Sequence, residues 1–279
     1  MKIKTIRLRI TLALPMALIS LTSIPAFAFS SADFKKEFGA RDGCFLVTDL
    51  STGKMVAEFN AKRCSERFSP CSSFKVAAAL MGFDKGVIKD ENQIIKWDGV
   101  KRDRPELNQD QTPFSWMSNS AKWVTEWIMP QLGMETIHRF LTAFDYGNKD
   151  FSGGLKDAWV TSSLKISARE QSEFFRKFWK NELPISTKAV DLTKKIIFIK
   201  KLGTSSELYG KTGTGCLKGH ECMEQAGKML GWFVGVLKTG SGDYIFASNA
   251  SDLVPQERPG GPRMRDTTIE ILEKMGLVK

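Results

Sequence analysis

Strand-like segments lie at the two ends of this chain, and segments with helical periodicity lie between them. Residues 43–50 form an apolar run that predicts a buried strand, and residues 55–60 predict its hairpin partner. Further strand-like segments, separated by glycine-rich turns, follow at 208–214, 229–238 and 244–249. Because apolar strands need partners and covering layers, we predict an α/β fold of the α+β type. In it, N- and C-terminal strands share one mainly antiparallel sheet flanked by helices.

The middle of the chain predicts the helices that flank this sheet. Apolar residues recur at helical spacing, and Ser167 with Glu170 forms a capping box that opens one helix. The predicted helices span 70–86, 119–133, 134–144, 167–179, 187–199 and 266–275. The stretch between the first two is rich in Asp, Asn, Gln and Pro and predicts an irregular excursion over 87–117. We expect the central helices to form an insertion that makes one wall of an active-site cleft.

Residues 1–28 have the pattern of a secretory signal peptide. The stretch begins with basic residues, continues with an apolar run over 10–21, and ends in the small-residue site Ala26-Phe27-Ala28. The apolar run is short and contains Pro15, so we expect no stable membrane anchor. We predict cleavage after Ala28, a periplasmic location, and a single domain over residues 29–279.

The charge of the exported chain is mildly basic. The formal net charge of +10 includes four basic residues and no acid from residues 1–28, so the remainder carries about +6. Such a balance favours anionic substrates. The basic clusters with exposed aromatics that are typical of nucleic-acid modules are not evident, so we expect no nucleic-acid partner.

Export also determines how the five cysteines are interpreted, because an oxidising compartment favours disulfides. The predicted disulfides are Cys44–Cys64, which lie near the ends of the first hairpin, and Cys216–Cys222, which flank a short loop. Cys71 is the odd cysteine and is expected to be reduced. A metal site that includes His220 is the alternative for the second pair, but no fourth ligand is evident, and we expect no metal.

A serine and a lysine lie one helical turn apart at the start of the first predicted helix. Ser69 suits the N-cap and Pro70 the first helical position, so Ser72 and Lys75 share one face. A serine hydroxyl needs a neighbouring base to act as a nucleophile. A lysine is that base only when burial lowers its pKa or when its amine is chemically altered. Without partners elsewhere in the chain, a capping serine and a core-lining lysine would be the simpler interpretation.

A second candidate motif is Lys211-Thr212-Gly213, on a predicted strand. Glycine weakens a strand unless another backbone or a ligand approaches closely. A strand edge that offers backbone N–H groups, a hydroxyl and an ammonium suits an anionic, amide-like substrate. A twisted edge strand with a solvent-facing lysine is the alternative.

Four motifs and three smaller features occur in one order along the chain. They are Ser72-Ser73-Phe74-Lys75, Ser120, Tyr146-Gly147-Asn148 and Lys211-Thr212-Gly213, with Ser69-Pro70, Ser152-Gly153-Gly154 and Trp159. In order and rough spacing, this set resembles the class D (oxacillinase-type) serine β-lactamases, from about residue 40 to the C-terminus. Class A enzymes do not fit, because the Ser-Asp-Asn triplet is missing. A Ser-His-Asp hydrolase does not fit either, because no histidine lies near the candidate nucleophile.

The resemblance implies a role for each catalytic position. Ser72 would attack the lactam carbonyl, and Lys75 would carry a carbamate formed from CO2 (N6-carboxylysine) that serves as the base. Ser120 would pass a proton to the departing lactam nitrogen, and Trp159 would hold the carbamate through its indole N–H. CO2 or bicarbonate would be the only small molecule needed besides the substrate.

The resemblance also implies how a β-lactam would bind. Backbone N–H groups of Ser72 and Thr214 would form the oxyanion hole, and an arginine near the last helix would help receive the substrate carboxylate. We prefer Arg265 for that arginine, with Arg263 as the alternative. The complete implied substrate-binding set is Lys211, Thr212, Gly213, Thr214, Arg265, Tyr146 and Asn148.

The sequence departs from the family at Lys122, where the family usually has a valine that walls in the modified lysine. Lys122 either reaches the carbamate or turns to solvent, and we expect the solvent-facing orientation. We predict an enzyme that hydrolyses penicillin-type antibiotics and confers resistance, as a monomer or weak homodimer. The alternatives are a penicillin-binding D-Ala-D-Ala peptidase and a β-lactam sensor that stays acylated.

Overall fold

One six-stranded antiparallel sheet lies at the centre of the fold, within the residues that the computed structural model describes, 29–216 and 228–279. The strands are β1 (Arg41–Asp49), β2 (Met55–Phe59), β3 (Phe198–Leu202), β4 (Ser206–Cys216), β5 (Met229–Thr239) and β6 (Gly242–Asp252). Their order across the sheet is β2-β1-β6-β5-β4-β3. The N- and C-terminal strands meet where β1 pairs with β6, with Val47 opposite Phe246. The predicted fold class is therefore confirmed.

Helices cover both faces of this sheet. They are α1 (Ser31–Phe38), α2 (Ala61–Ser65), α3 (Lys75–Asp84), α4 (Pro113–Asn119), α5 (Lys122–Leu132), α6 (Met134–Ala143), α7 (Ala168–Trp179), α8 (Thr187–Ile196) and α9 (Gly260–Lys274). On one face, α1 and α9 cover strand residues such as Phe233. On the other face, α3 to α8 cover the alternating residues such as Trp232. This alternation follows from the two-residue period of a strand and gives the molecule two hydrophobic cores.

Several element boundaries differ from the sequence prediction. The helix predicted over 119–133 is broken at Ser120, which adopts a left-handed backbone conformation (φ 55°) between α4 and α5. The helix predicted over 187–199 ends at Ile196, and the apolar residues that follow form the edge strand β3. Periodicity alone does not show whether a short apolar run forms a helix or a strand, which explains why the helix was predicted to continue to residue 199.

The last helix begins at Gly260, six residues before the predicted start. A Gly-Gly-Pro sequence is typical of a turn, but here the glycines allow α9 to pack closely against the sheet. A Cβ atom on Gly261 would lie 2.7 Å from the carbonyl oxygen of Gly213 in β4. The sequence also does not predict the short helices α1, α2 and α4, and α4 begins within the stretch 87–117 that was expected to be irregular.

The disulfide Cys44–Cys64 is present, with a Cα–Cα distance of 5.3 Å, as predicted. Cys71 is a buried thiol, also as predicted. Cys216 is disulfide-bonded, but its predicted partner Cys222 and the alternative ligand His220 lie outside the described residues. The predicted signal peptide, 1–28, also lies outside them. Across the described ranges, no helix is both long and apolar enough to cross a bilayer.

Candidate active site

Ser72 lies in a single 3-10 turn, Cys71–Phe74, directly before α3. The prediction that Ser69 caps this helix is wrong. Its hydroxyl instead donates to the Trp159 carbonyl at 2.8 Å and accepts from the Thr161 N–H at 2.7 Å. Cys71 adopts a left-handed conformation (φ 50°), which is unfavourable for a residue with a side chain. Its N–H donates to the Trp159 carbonyl at 2.9 Å, so the turn is fixed against the neighbouring segment.

Lys75 is fully buried one turn after Ser72, and its Nζ lies 3.1 Å from the Ser72 Oγ. Burial is the main cause that places the pKa of Lys75 well below its ordinary value. The positive charges of Lys211 and Lys122 lower it further. Both causes disfavour the charged ammonium form of this amine. A neutral amine at hydrogen-bond distance can accept the proton of the Ser72 hydroxyl.

Ser120 and Lys211 meet across the cleft. The left-handed turn between α4 and α5 directs Ser120 toward β4, where its Oγ accepts a hydrogen bond from the Lys211 Nζ at 3.0 Å. Burial lowers the pKa of Lys211 to about 7, and the charges of Arg104 and Arg265 contribute. The structure thus brings Ser120 together with the Lys-Thr-Gly strand, which sequence spacing alone does not establish.

The strand β4 approaches the turn that carries Ser72 very closely. A Cβ atom on Gly213 would lie 2.8 Å from the Pro70 carbonyl oxygen, and one on Gly215 would lie 2.4 Å from the Cys71 Sγ. The expectation that Gly213 permits close approach of another backbone is confirmed. Thr214, between these glycines, accepts a hydrogen bond at its Oγ1 from the Gly261 N–H at 2.8 Å. The residues predicted to bind substrate on β4 are therefore held from both sides.

Trp159 is fully buried, and its indole N–H has no hydrogen-bond partner among the residues that the structure describes. The ring stacks on Phe74, at 5.5 Å between centroids, and on Phe151, at 6.0 Å. An unsatisfied buried donor costs about 1–3 kcal/mol, so its persistence in a packed core indicates a place for an acceptor group. The position of Trp159 against Phe74 places this donor beside the helical turn of Ser72 and Lys75.

The two candidate arginines have different environments. The Arg263 guanidinium donates to the buried Asp252 carboxylate at 2.8 Å and is itself mostly buried, so it holds β6 against α9. Arg265 is 39% exposed and contacts only Asp266, at 3.4 Å, among the ion pairs of the described chain. Arg265 lines a cavity of ≈ 260 Å³ with Lys211 and Thr212, and the other lining residues are Phe114, Met117, Ser118, Ile196, Ile197, Phe198, Ile199 and Gly210.

Tyr146 lies in the core, which corrects the prediction that it contacts substrate, whereas Asn148 is half-buried and its contact with substrate stays a prediction. Tyr146 is fully buried and packs edge-on against Phe74 and Phe174. The Asn148 amide donates to the Ser163 carbonyl at 2.8 Å, and its side-chain oxygen accepts from the Lys165 N–H at 2.9 Å. Both residues therefore stabilise the irregular segment that carries Trp159.

Lys122 is partly exposed, in line with the expected solvent-facing orientation, but its ammonium is also paired. Its side chain is 42% exposed, and its Nζ contacts the carboxylates of Glu126 at 2.5 Å and Asp157 at 2.9 Å. It is thus a partly exposed cation that bridges two carboxylates.

Sequence reasoning missed Arg104. Its guanidinium donates to the Asn119 carbonyl at 2.8 Å, next to Ser120, and its charge contributes to the lowered pKa of Lys211 after the larger effect of burial. Arg104 lies in the excursion predicted to be irregular surface, where several other basic residues hide any distinctive signal. Within 29–216 and 228–279, no cluster of His, Cys, Asp and Glu has the arrangement needed to hold a metal ion.

Comparisons with known proteins agree with this geometry. The family model of the penicillin binding protein transpeptidase domain matches residues 43–261. β-Lactamase OXA-1 of Escherichia coli is 35% identical over 280 residues, which cover 98% of this chain and 99% of OXA-1.

Solved structures give the same result. The crystal structure of a class D β-lactamase from Bacillus subtilis matches with a TM-score of 0.78 at 36% identity, covering 88% of this chain and 96% of the other. The C-terminal domain of the Bacillus licheniformis BlaR penicillin-receptor matches with a TM-score of 0.80 at 30% identity, covering 90% and 96%. The predicted family is confirmed: this chain belongs to the class D serine β-lactamases.

Proposed function

We propose that this protein hydrolyses the amide bond of β-lactam antibiotics through a covalent acyl-enzyme on Ser72 and thereby confers resistance to them. The observation that carries the proposal is the contact of 3.1 Å between the Ser72 hydroxyl and the Lys75 amine. That amine is fully buried and has a lowered pKa, so the nucleophile has a base within reach.

Acylation follows from this arrangement. The Ser72 oxygen attacks the lactam carbonyl carbon while its proton passes to the base at Lys75. Negative charge then develops on the carbonyl oxygen, where the backbone N–H groups of Ser72 and Thr214 stabilise it. The C–N bond breaks next, and the nitrogen takes a proton relayed through the Ser120 hydroxyl. The products are a serine ester and a ring-opened amine, so atoms and charge balance.

Deacylation needs a base that activates water, and the residues around Lys75 fit a carbamate there. The neutral amine would attack CO2, form a C–N bond and lose a proton, which converts a neutral side chain into an anionic base. The burial of Lys75 favours the neutral amine by lowering its pKa, and the Trp159 indole N–H, which has no partner among the described residues, supplies a donor for such an anion. Phe74 and Phe151 exclude water on the ring faces of Trp159.

The substrate carboxylate would bind at the cationic end of the cleft. Lys211 and Arg265 supply the charge, and the Thr212 hydroxyl supplies a hydrogen bond; all three line the same cavity. Penicillins and cephalosporins carry a carboxylate on the ring fused to the lactam, so this pairing positions the lactam carbonyl over Ser72.

The cellular setting belongs to the same proposal. Residues 1–28 direct export, cleavage follows Ala28, and the enzyme acts in the periplasm as a monomer or weak homodimer. The single catalytic domain spans 29–279. Besides CO2, which modifies Lys75, we expect no cofactor.

Steady-state hydrolysis of a chromogenic cephalosporin, with and without added bicarbonate, tests the proposed function. We expect many turnovers per enzyme and faster turnover with bicarbonate. A mass increase on Ser72 without turnover would instead favour a sensor, a candidate supported by the similarity to the BlaR penicillin-receptor domain. Cleavage of a D-Ala-D-Ala peptide with negligible cephalosporin turnover would favour the peptidase.

A further inference from the structure

Lys122 bridges two carboxylates beside the site of the lysine base. It lies two residues after Ser120, at the first position of α5. Its Nζ contacts Glu126, one turn along the same helix, and Asp157, which precedes Trp159 by two residues. A cation that bridges two anions of different segments both offsets their charge and joins the segments.

The segment joined to α5 has no helix or strand of its own. From residue 145 to residue 165 the chain forms only turns, bends and irregular structure. After Trp159, the Thr161 N–H donates to the Ser69 hydroxyl, which lies two residues before the turn that carries Ser72. Residues 153–158 lie directly before Trp159. Among the described residues, the bond between Asp157 and Lys122 is the only side-chain hydrogen bond that connects this stretch to a helix. Lys122 therefore anchors the residues directly before Trp159 to α5.

The same bridge sets the local charge near Lys75. Burial and the charge of Lys211 are the larger causes of the lowered pKa of Lys75, but Lys122 lowers it too, and Glu126 opposes that effect. Without the Lys122 ammonium, the carboxylates of Glu126 and Asp157 would remain unpaired on this side. Two uncompensated anions favour the ammonium form of Lys75, which does not react with CO2, and they repel an anionic carbamate.

We propose that Lys122 is a positioning residue for the carbamate on Lys75, acting through its bridge between Glu126 and Asp157. It keeps the Trp159 indole beside the modified lysine and neutralises the two nearby carboxylates. The inference rests on the proposed function, because it concerns the stability of the carbamate that serves as the base. It gives the residue that replaces the family's valine a specific task.

Titration with ¹³C-labelled bicarbonate tests the proposal directly. The protein is first freed of CO2, and the NMR signal of the carbamate carbon is then followed as bicarbonate is added. The test variant is Lys122→Met, which keeps the length of the side chain and removes its charge. We expect the half-saturating bicarbonate concentration to rise roughly tenfold or more, because at an effective dielectric constant near 20 an uncompensated charge within about 12 Å shifts an equilibrium by at least that factor.

Two further variants serve as matched controls for Lys122→Met. Lys149→Met removes a lysine of similar exposure from an ion pair with Asp145 in the same irregular segment, and it should titrate like the wild type. Lys122→Arg keeps the charge and the reach, and it should restore the half-saturation to within about twofold of wild type. The kcat of Lys122→Met at saturating bicarbonate should recover, because Lys122 does not contact the Ser72 hydroxyl.

The outcomes separate this inference from the proposed function. A wild-type protein without a carbamate signal would refute the carbamate itself. A wild-type signal with a Lys122→Met titration that matches Lys149→Met would overturn only the role of Lys122. Thermal unfolding checks that each variant is folded. If Lys122→Met does not fold, Lys122→Gln takes its place under the same criteria, because it retains hydrogen bonding without the charge.

Discussion

At the scale of single residues, the site depends on two buried lysines with different surroundings. Lys75 is fully buried and lies against the Ser72 hydroxyl. Lys211 donates to Ser120 and to the Thr212 carbonyl on β4, at the cationic end of the cleft. Burial lowers the pKa of both, but only Lys75 has the nucleophile next to it. The first is suited to accept a proton, and the second to bind a carboxylate.

Replacing Lys75 with methionine should abolish turnover and stabilise the fold. In CO2-free buffer, the unfolded chain binds a proton at Lys75 below the ordinary lysine pKa, whereas the folded chain binds it only below the lowered pKa. Wild-type stability is therefore lost as pH falls from the ordinary lysine pKa toward the lowered one, and Lys75→Met avoids this loss. Urea unfolding at several pH values measures it. The advantage of the variant should vanish above the ordinary lysine pKa, and a constant advantage at all pH values would contradict the assignment.

Substitutions of the two neighbouring arginines of α9 should have different effects, one on substrate binding and the other on stability. Arg265→Ala should raise KM for penicillins by roughly tenfold or more, because it removes a charge-assisted contact to the substrate carboxylate. Arg263→Ala should instead lower stability by about 3 kcal/mol, because it leaves the buried Asp252 unpaired. Steady-state kinetics and urea unfolding of both variants provide the comparison. An Arg263→Ala variant with the larger KM effect would reverse the choice between them.

At the scale of elements, the sequence predicted the sheet and most helices but not the places where they touch. The strands of the first hairpin and the capping box at Ser167 have strong local signals, and both are confirmed. The break at Ser120 and the strand at 198–202 depend on tertiary contacts, which local periodicity does not report. Tyr146 was assigned to substrate from a motif, but a motif does not show which side chain faces the cleft.

The approach of β4 to the nucleophile turn should depend on Gly213. Gly213→Ala would place a methyl group 2.8 Å from the Pro70 carbonyl oxygen, so the strand must shift. We expect a loss of about 1–3 kcal/mol in unfolding free energy, together with slower acylation. Gly240→Ala is the control, because its nearest contact is 4.0 Å away, and it should change stability by less than about 0.5 kcal/mol. Equal effects of the two variants would rule out the close approach as the cause.

At the scale of the whole molecule, the Cys44–Cys64 disulfide joins β1 to α2 near one edge of the sheet. The double variant Cys44→Ala/Cys64→Ala should unfold with a free energy lower by about 3 kcal/mol, since the bond closes a loop of about twenty residues. Hydrolysis at low temperature should persist, because neither cysteine lines the cleft. Urea unfolding and hydrolysis rates measured on the same samples check both statements, and an unchanged midpoint would contradict the first.

The pairing of β1 with β6 has a consequence for how the chain acquires activity. The two strands are roughly two hundred residues apart in sequence, and contacts of such long range slow folding. During synthesis, the hairpin that precedes Ser72 is complete long before its partner strand has been made. The Lys-Thr-Gly strand also comes late, so the nucleophile has no opposite wall until most of the chain exists. An incomplete chain therefore contains the candidate serine and lysine but lacks the strand that completes the active site.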